Sequence, residues 1–472
     1  MCSSILFFFT RDSFLSTHQV APSQYEFSPI FSLTNIANDQ NVASMEVLQE
    51  VATRHGLAVL LHEKPFAGVN GSGKHNNWGL NTDAGDNLYT PGKTPEEQAR
   101  FMTMVSVLTQ AVNRHADLMR CAVATAGNDH RLGAQEAPPA IISLATGENM
   151  HAHIKNIIAG GELEGYGSET KSVAAGARAV PDVEAATEDR NRTAPFPFCG
   201  NRFEFRAVGS QQNFAFPLAI LHSAVAESLG EIIFFISFVC CISFVSHSPS
   251  LSFSCFSGEM ADLLEGGMSQ KDATAKFFAE NDRIIFNGNG YDEAWHAEAE
   301  HERKLPNLRN TVDSFEVFAS DKAKDLFSKV GVFTPTEVDA RQEIAFEAYT
   351  NTISLESACV IEMVETGVLP ACAADLNAYG ASGLEGDRPA LYKDVATKVA
   401  ALKEVHAALP TEGDDVVHAQ ARYCSDVIKP AMDSLRVAAD EAELVIASDK
   451  YPFPKYREML FDHHFEDVKS EF

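Results

Sequence analysis

Positive charge is what this sequence most lacks: 37 Lys and Arg stand against 65 Asp and Glu, a formal net charge of −28. No basic run occurs anywhere along the 472 residues. So acidic a chain repels a phosphate backbone, which excludes a generic DNA or RNA binder. No two of the nine cysteines have C-x-x-C spacing, and the count is odd. That excludes a ribbon-type zinc site and argues against a disulfide scaffold at this size. The scattered Cys2, Cys121, Cys199, Cys359, Cys372 and Cys424 read as reduced thiols of a cytosol-like compartment. The apolar run Ile232 to Val245 falls short of a bilayer span as well: it has 14 residues, against the ~18–20 required, and is followed by Ser and Pro. Near the N-terminus only Ile5–Phe9 is continuously apolar and no basic residue precedes it, so it fails as a signal peptide.

What is present is the composition of a globular protein, 45% hydrophobic and 22% charged, with room for two or three domains at about 100–200 residues each. One segment breaks the pattern. The 27 residues Ile232–Gly258 contain no Asp, Glu, Lys or Arg. Gly230-Glu231 before them repeats as Gly258-Glu259 after them. Removing Glu231–Gly258 joins LHSAVAESLG to EMADLLEGG and sets Leu221, Val225, Leu229, Met260 and Leu264 at helical spacing, closing on Gly266-Gly267 as a C-cap. Residues 1–19 and 231–258 therefore read as foreign to the fold, either intron sequence read as coding or a disordered loop. A membrane-associated segment is the alternative.

Elsewhere the pattern mixes strands and helices. Ser44 and MEVLQEVATRHG predict a helix stopped by Gly56, and LAVLLHE (57–63) alternates like a strand. Thr94-Pro95-Glu96-Glu97 is a helix start with an N-cap, Pro in the first turn and Glu at the capping-box position. Phe101, Val105, Leu108 and Val112 then line one face to about Leu118. Lys155–Arg190 reads as a loop or weak hairpin and RFEFRAV (202–208) as a strand. Beyond Met260 the runs 336–364, 390–408 and 414–447 are acidic and amphipathic. The fold class expected is α+β in front and all-α behind.

Gly68–His75 matches GxxxxGK but puts His75 where a P-loop needs Ser or Thr for its magnesium. NNWGLNTDAGDN follows, turn and strand chemistry rather than the helix whose amides would face phosphate. A His closing a Gly-rich loop suggests instead a metal ligand beside backbone that a substrate can approach.

KPFAGVNGSGKHNNW (64–78) resembles the signature loop of the glutamine synthetases, in the form of the large type III members. QYEFSPIF (24–31), HRLGAQEAPP (130–139) and NRTAPFPFCGNRFEFR (191–206) resemble the family's metal-ligand strand, its flap loop and its ATP and metal block, in that order. IIFNGNGYDEAW, LPNLRNTVDSFE and YPFPKYREMLF resemble the type III C-terminal region. The resemblance implies a catalytic domain over 20–310, a curved antiparallel sheet with helices, and a helical domain over 311–472.

It also implies an activity: γ-phosphoryl transfer from ATP to the side chain of L-glutamate, then attack by ammonia to give L-glutamine. By the resemblance, Glu26 is a ligand of the first Mg²⁺ or Mn²⁺, and His75 and Glu204 are ligands of the second. Such hard cations take oxygen donors with an occasional imidazole. Arg192 and Arg206 match the arginines that grip phosphate, a task suited to guanidinium's paired donors. Arg131 matches a contact of the glutamate carboxylate, and Asn70 and Gly71 the loop positions that hold glutamate. Arg202 and Asn77 fall at the nucleotide, and Glu136 matches the flap glutamate that shields the intermediate.

Departures are equally plain. Gln19 stands where the family has a ligand Glu, Gly79 where it usually has Ser, and the flap is one residue short. The family's β-grasp domain and its ExE strand are not in this sequence, which leaves three of roughly six expected protein ligands. The resemblance implies a ring hexamer or stacked dodecamer in the cytoplasm, or in a plastid or mitochondrion if a transit peptide precedes. No nucleic-acid or membrane partner is expected. Two other readings remain: a catalytically impaired fragment keeping a partial metal and ATP site, and a membrane-tethered helical scaffold.

Overall fold

The computed structural model describes residues 16–18, 24–27, 29–62, 73–129, 132, 140–167, 170–173, 183–186, 191–230, 260, 263–264, 266–413 and 415–455. The chain divides into two compact units, residues 1–309 with 317–338, and residues 310–316 with 339–472. The described part is rich in helix, with small sheets, an α+β composition.

The first unit is built around a long helix. After β1 (Ser16–His18), β2 (Tyr25–Phe27), α1 (Thr34–Arg54) and β3 (Lys74–Trp78) comes α2, Pro95–Cys121. Its start is the capping box read from the sequence: Thr94 Oγ1 accepts from Glu97 N at 3.2 Å, and Glu97 Oε2 accepts from Thr94 N at 3.0 Å. The Thr94 amide and the Lys93 amide, which donates to the same oxygen at 2.7 Å, outweigh desolvation and hold the Glu97 carboxyl below its ordinary pKa. The expected apolar face is buried, but so is the rest of the helix from Phe101 to Val112. Three of its polar members bond within the helix: Thr103, Ser106 and Thr109 donate to the carbonyls of Ala99, Thr103 and Val105. α2 is covered by α5 (Ala215–Leu229) and α6 (Gln270–Asn281). Shorter helices are α3 (Ala126–Asp129), α7 (Glu293–His301), α8 (Thr311–Phe318) and α9 (Asp321–Val330).

The strands come as pairs. β1 and β2 are antiparallel, as are β3 and β8 (Phe203–Val208) and the hairpin β5 (Thr170–Val173) with β6 (Val183–Ala186). β4 (Leu144–Ala145) runs parallel to β7 (Phe196–Pro197), with a further bridge from Leu144 to Ile285. Between them lies α4, Glu148–Ile158, so the stretch read as a loop from Lys155 begins in helix. LAVLLHE differs more. Its described residues 57–62 form no strand, and Leu57 and Leu60 are exposed: alternation alone gives no strand without a partner to complete the ladder. The predicted helix at Ser44 begins ten residues earlier, at Thr34. Gly267 takes the positive φ of +88° expected of a C-cap, with its amide and that of Met268 bonded to Leu264 O and Leu263 O.

The second unit is helical. α10 (Pro335–Met363) passes through the π-turn Val364–Val368 into α11 (Leu369–Tyr379), and α12 (Arg388–Ala407) follows. α13 (Val416–Tyr423) passes through the π-turn Cys424–Ile428 into α14 (Lys429–Val445). Pro335–Tyr379 is long and apolar enough to cross a membrane by length and composition. Polar contacts tie it to its neighbours: His406 Nδ1 to Ser357 Oγ at 3.1 Å and Lys403 to Glu365 at 2.6 Å. Near the end of that stretch Asp375, 1% exposed, accepts from Tyr392 Oη (2.7 Å) and Ala447 N (3.1 Å).

Candidate active site

β3 and β8 lie side by side with Asn77 opposite Glu204 and Trp78 opposite Phe203. Alternation along two antiparallel strands divides their side chains between two faces. One face is aromatic: Trp78, Phe203 and Phe205 are buried and pack with Tyr89, Phe196 and Phe198 at ring separations of 5.2–6.3 Å. The other carries His75, Asn77, Glu204 and Arg206. A register shift between Lys74 and Asn76 puts the irregularity of the ladder at His75.

On that face His75 Nδ1 is 3.6 Å from Glu204 Oε1. Arg206, 7% exposed, donates from Nε and Nη2 to Glu204 Oε2 at 2.8 and 2.7 Å and from Nη1 to Asn191 O at 2.7 Å. Burial by itself would raise the Glu204 pKa. The adjoining His75 imidazole and the Arg206 charge outweigh it and hold the carboxyl down to about 2, fully ionised at neutral pH. Arg202 Nε donates to Asn77 Oδ1 at 2.6 Å, and its Nη1 to Asn201 Oδ1 at 3.0 Å. Arg192 is exposed, one residue beyond Asn191.

An ionised carboxylate with one oxygen facing an imidazole, and the other occupied by a guanidinium, suits a hard divalent cation. Among the described residues no group of three or more His, Cys, Asp or Glu side chains is placed to hold a metal, so two donors converge here. Glu26 lies in β2 opposite Thr17; its side chain is outside the described part. Asn70, Gly71, Arg131, Glu136 and Gln19 lie outside the described residues, as does 231–258.

The lysine of the GxxxxGK match points the other way. Lys74 is fully buried, and its Nζ donates to Asn41 Oδ1 at 2.9 Å and to the Gln212 carbonyl, which ties β3 to α1. No helix follows Gly73, which removes the P-loop reading. Asn191 is a residue that inspection of the sequence passed over. Its φ is +21°, and its Oδ1 accepts from Thr193 N (3.2 Å) and Thr193 Oγ1 (2.8 Å), a turn that Asn favours. The Asn-Arg-Thr order was the available signal.

Residues 11–161 match the family model described as glutamine synthetase, catalytic domain, and residues 271–379 that described as glutamine synthetase C-terminal domain. The chain belongs to the glutamine synthetase family. Within it the similarity is to large members. The chain is 38% identical to the type-3 glutamine synthetase of Dictyostelium discoideum, over 94% of this chain and 60% of that protein. It is 32% identical to the glutamine synthetase of Bacteroides fragilis and 37% identical to that of Butyrivibrio fibrisolvens, over 94% of this chain and 61% and 62% of theirs. It thus spans about three-fifths of the length of the curated relatives it matches.

Proposed function

We propose that the full-length protein is a glutamate–ammonia ligase: the side-chain carboxylate of L-glutamate attacks the γ-phosphorus of ATP, ADP leaves, and ammonia displaces phosphate from the resulting γ-glutamyl phosphate. The observation that carries this is the convergence of His75, Glu204 and Arg206 on one face of the β3–β8 pair. His75 and Glu204, with Glu26, would hold Mg²⁺ or Mn²⁺, whose bound charge would offset that of the nucleotide phosphates. Arg206 and Arg192 grip the transferred phosphoryl group through paired hydrogen bonds. Arg202 and Asn77, linked to each other, border the nucleotide. Asn70, Gly71 and Arg131 hold the substrate glutamate, while Glu136 shields the intermediate and takes a proton from ammonium to free the ammonia that attacks. The scattered cysteines support a reducing compartment, the cytoplasm or an organelle, and the family resemblance supports a ring of like subunits.

A second reading has its own support: among the described residues two donors, His75 and Glu204, meet at the site. On it, this chain is an impaired fragment that keeps part of a metal and ATP site. One experiment separates the two. γ-Glutamyl transfer with Mn²⁺ and ADP is assayed on this chain and on a form extended to the length of its relatives. Turnover abolished by His75→Ala in the longer form supports the ligase, and turnover confined to the longer form supports the fragment reading for this one. A folded longer form with no turnover refutes the ligase.

A further inference from the structure

The segment Phe286-Asn287-Gly288-Asn289-Gly290 follows the catalytic blocks in the sequence, and no role in the reaction has been given to it above. In the fold it meets the arginine loop at several points. Asn191 Nδ2 donates to the carbonyls of Asn287 and Gly288, both at 2.9 Å. Gly290 N donates to Thr193 Oγ1 at 2.8 Å. A Cβ on Gly290 would stand 2.6 Å from the Thr193 carbonyl oxygen, backbone that cannot turn aside, so only glycine permits this approach.

The segment is itself anchored. Asn287 Oδ1 accepts from Gly147 N at 2.9 Å, at the start of α4, and Phe286 N donates to Leu144 O at 2.8 Å. On the far side, Asn191 O receives Arg206 Nη1 at 2.7 Å. A continuous path of bonds therefore runs from the base of α4, through the glycine-rich segment and Asn191, to the guanidinium that holds Glu204.

We propose that residues 286–290 are a brace, and that Asn191 and Gly290 are positioning residues that set the direction of the Arg192 and Arg206 side chains for a nucleotide polyphosphate. The brace rests on the phosphate-gripping role proposed for those arginines. Rigid support of this kind matters because a guanidinium meets phosphate through two parallel hydrogen bonds, which a displacement of about an ångström spoils.

The test is calorimetric binding to the full chain, first of Mn²⁺ alone and then of ADP with Mn²⁺ saturating. It covers Gly290→Ala, Asn191→Ala and Arg206→Lys, and each of the first two combined with the third. The expected result is that every single variant weakens ADP binding by about tenfold, the loss of one well-placed hydrogen bond. Mn²⁺ binding by Gly290→Ala and Asn191→Ala should stay within about threefold of the unaltered chain, because neither residue touches His75 or Glu204. The combinations should lose little beyond Arg206→Lys, a non-additivity that general loosening of the fold would not produce. Should Gly290→Ala fail to fold, Asn191→Ala reads the same coupling.

Undiminished ADP binding by Gly290→Ala and Asn191→Ala, with Arg206→Lys weakened, overturns the brace and leaves the arginine role standing. Additive losses overturn it as well. No effect of Arg206→Lys removes the arginine role, and the brace falls with it.

Discussion

Glu204 shows how one residue can serve two neighbours. Its Oε2 is taken by Arg206 and its Oε1 faces His75. Glu204→Gln keeps an acceptor for the guanidinium but loses the charge, so urea unfolding should show a loss of only about 1–2 kcal/mol. Mn²⁺ affinity measured by calorimetry should fall by about tenfold or more, since the anionic oxygen is what the cation needs. Glu227 offers a contrast away from the site. Burial pushes its carboxyl up, but the hydrogen bond to His115 (2.7 Å) and the charges of His115, Arg114 and Lys329 outweigh burial and lower it to about 2. A carboxyl lowered on folding stabilises the native state above its unfolded value. That stability is lost as pH falls from about 4.5 towards 2. Thermal unfolding between pH 5 and 2.5 should therefore show Glu227→Gln missing about 1–2 kcal/mol of the acid-dependent loss, with solvent screening allowed for. Parallel pH profiles for the variant and the unaltered chain would remove the pair from the account.

Helices and strands were legible to different degrees, for reasons that can be named. The start of α2 was, because a capping box is a local code: Thr94→Ala should cost about 1 kcal/mol in urea unfolding, and a change below a few tenths would mean the cap is idle. The strand Phe203–Val208 was legible from its alternation. Residues 57–62 alternate as well and form no strand, because a ladder needs a partner that local sequence does not encode. His75 was singled out by the Gly-rich loop it closes, and Glu204 and Arg206 by the resemblance of NRFEFR to a family block; alternation sets only the face they share. It could not supply the partners of Asn191, whose hydrogen bonds run to residues 96 and 97 positions away. Hidden too were the two π-turns, though each has a local cause. Val364–Val368 and Cys424–Ile428 both end two residues before a proline, Pro370 and Pro430, whose missing N–H and ring disturb the α-helical ladder. The bonds Leu369 N to Val364 O and Lys429 N to Cys424 O are the five-residue spacing that results. In the same unit, Asp375→Asn should cost about 2 kcal/mol by leaving Tyr392 and the Ala447 amide poorly matched. Denaturation by urea measures it.

At the scale of the whole molecule, the stretch within 231–258 stands apart in composition, without one charged residue from Ile232 to Gly258. Either the described fold depends on it or it does not, and the described contacts point one way. α5 ends at Leu229 with Gly230 as its cap at φ +71°. Met260 is fully buried, and the amide of Gly267 closes on Leu264 O. The buried aromatic face beneath His75 and Glu204, the α2–α5 packing and the helical second unit are all built from residues outside 231–258. Removing Glu231–Gly258 in frame deletes 28 residues without taking any of those side chains away. It leaves only Glu259 between Gly230 and Met260. The expected outcome is a shortened chain that unfolds as cooperatively as the full one, with a midpoint equal or a few degrees higher, and binds Mn²⁺ through His75 with unchanged affinity. Loss of cooperative unfolding on deletion would make these residues part of the native core. The transcript decides the matter independently: messenger RNA that reads directly from the codon of Gly230 to that of Glu259 would show that the mature protein does not contain them.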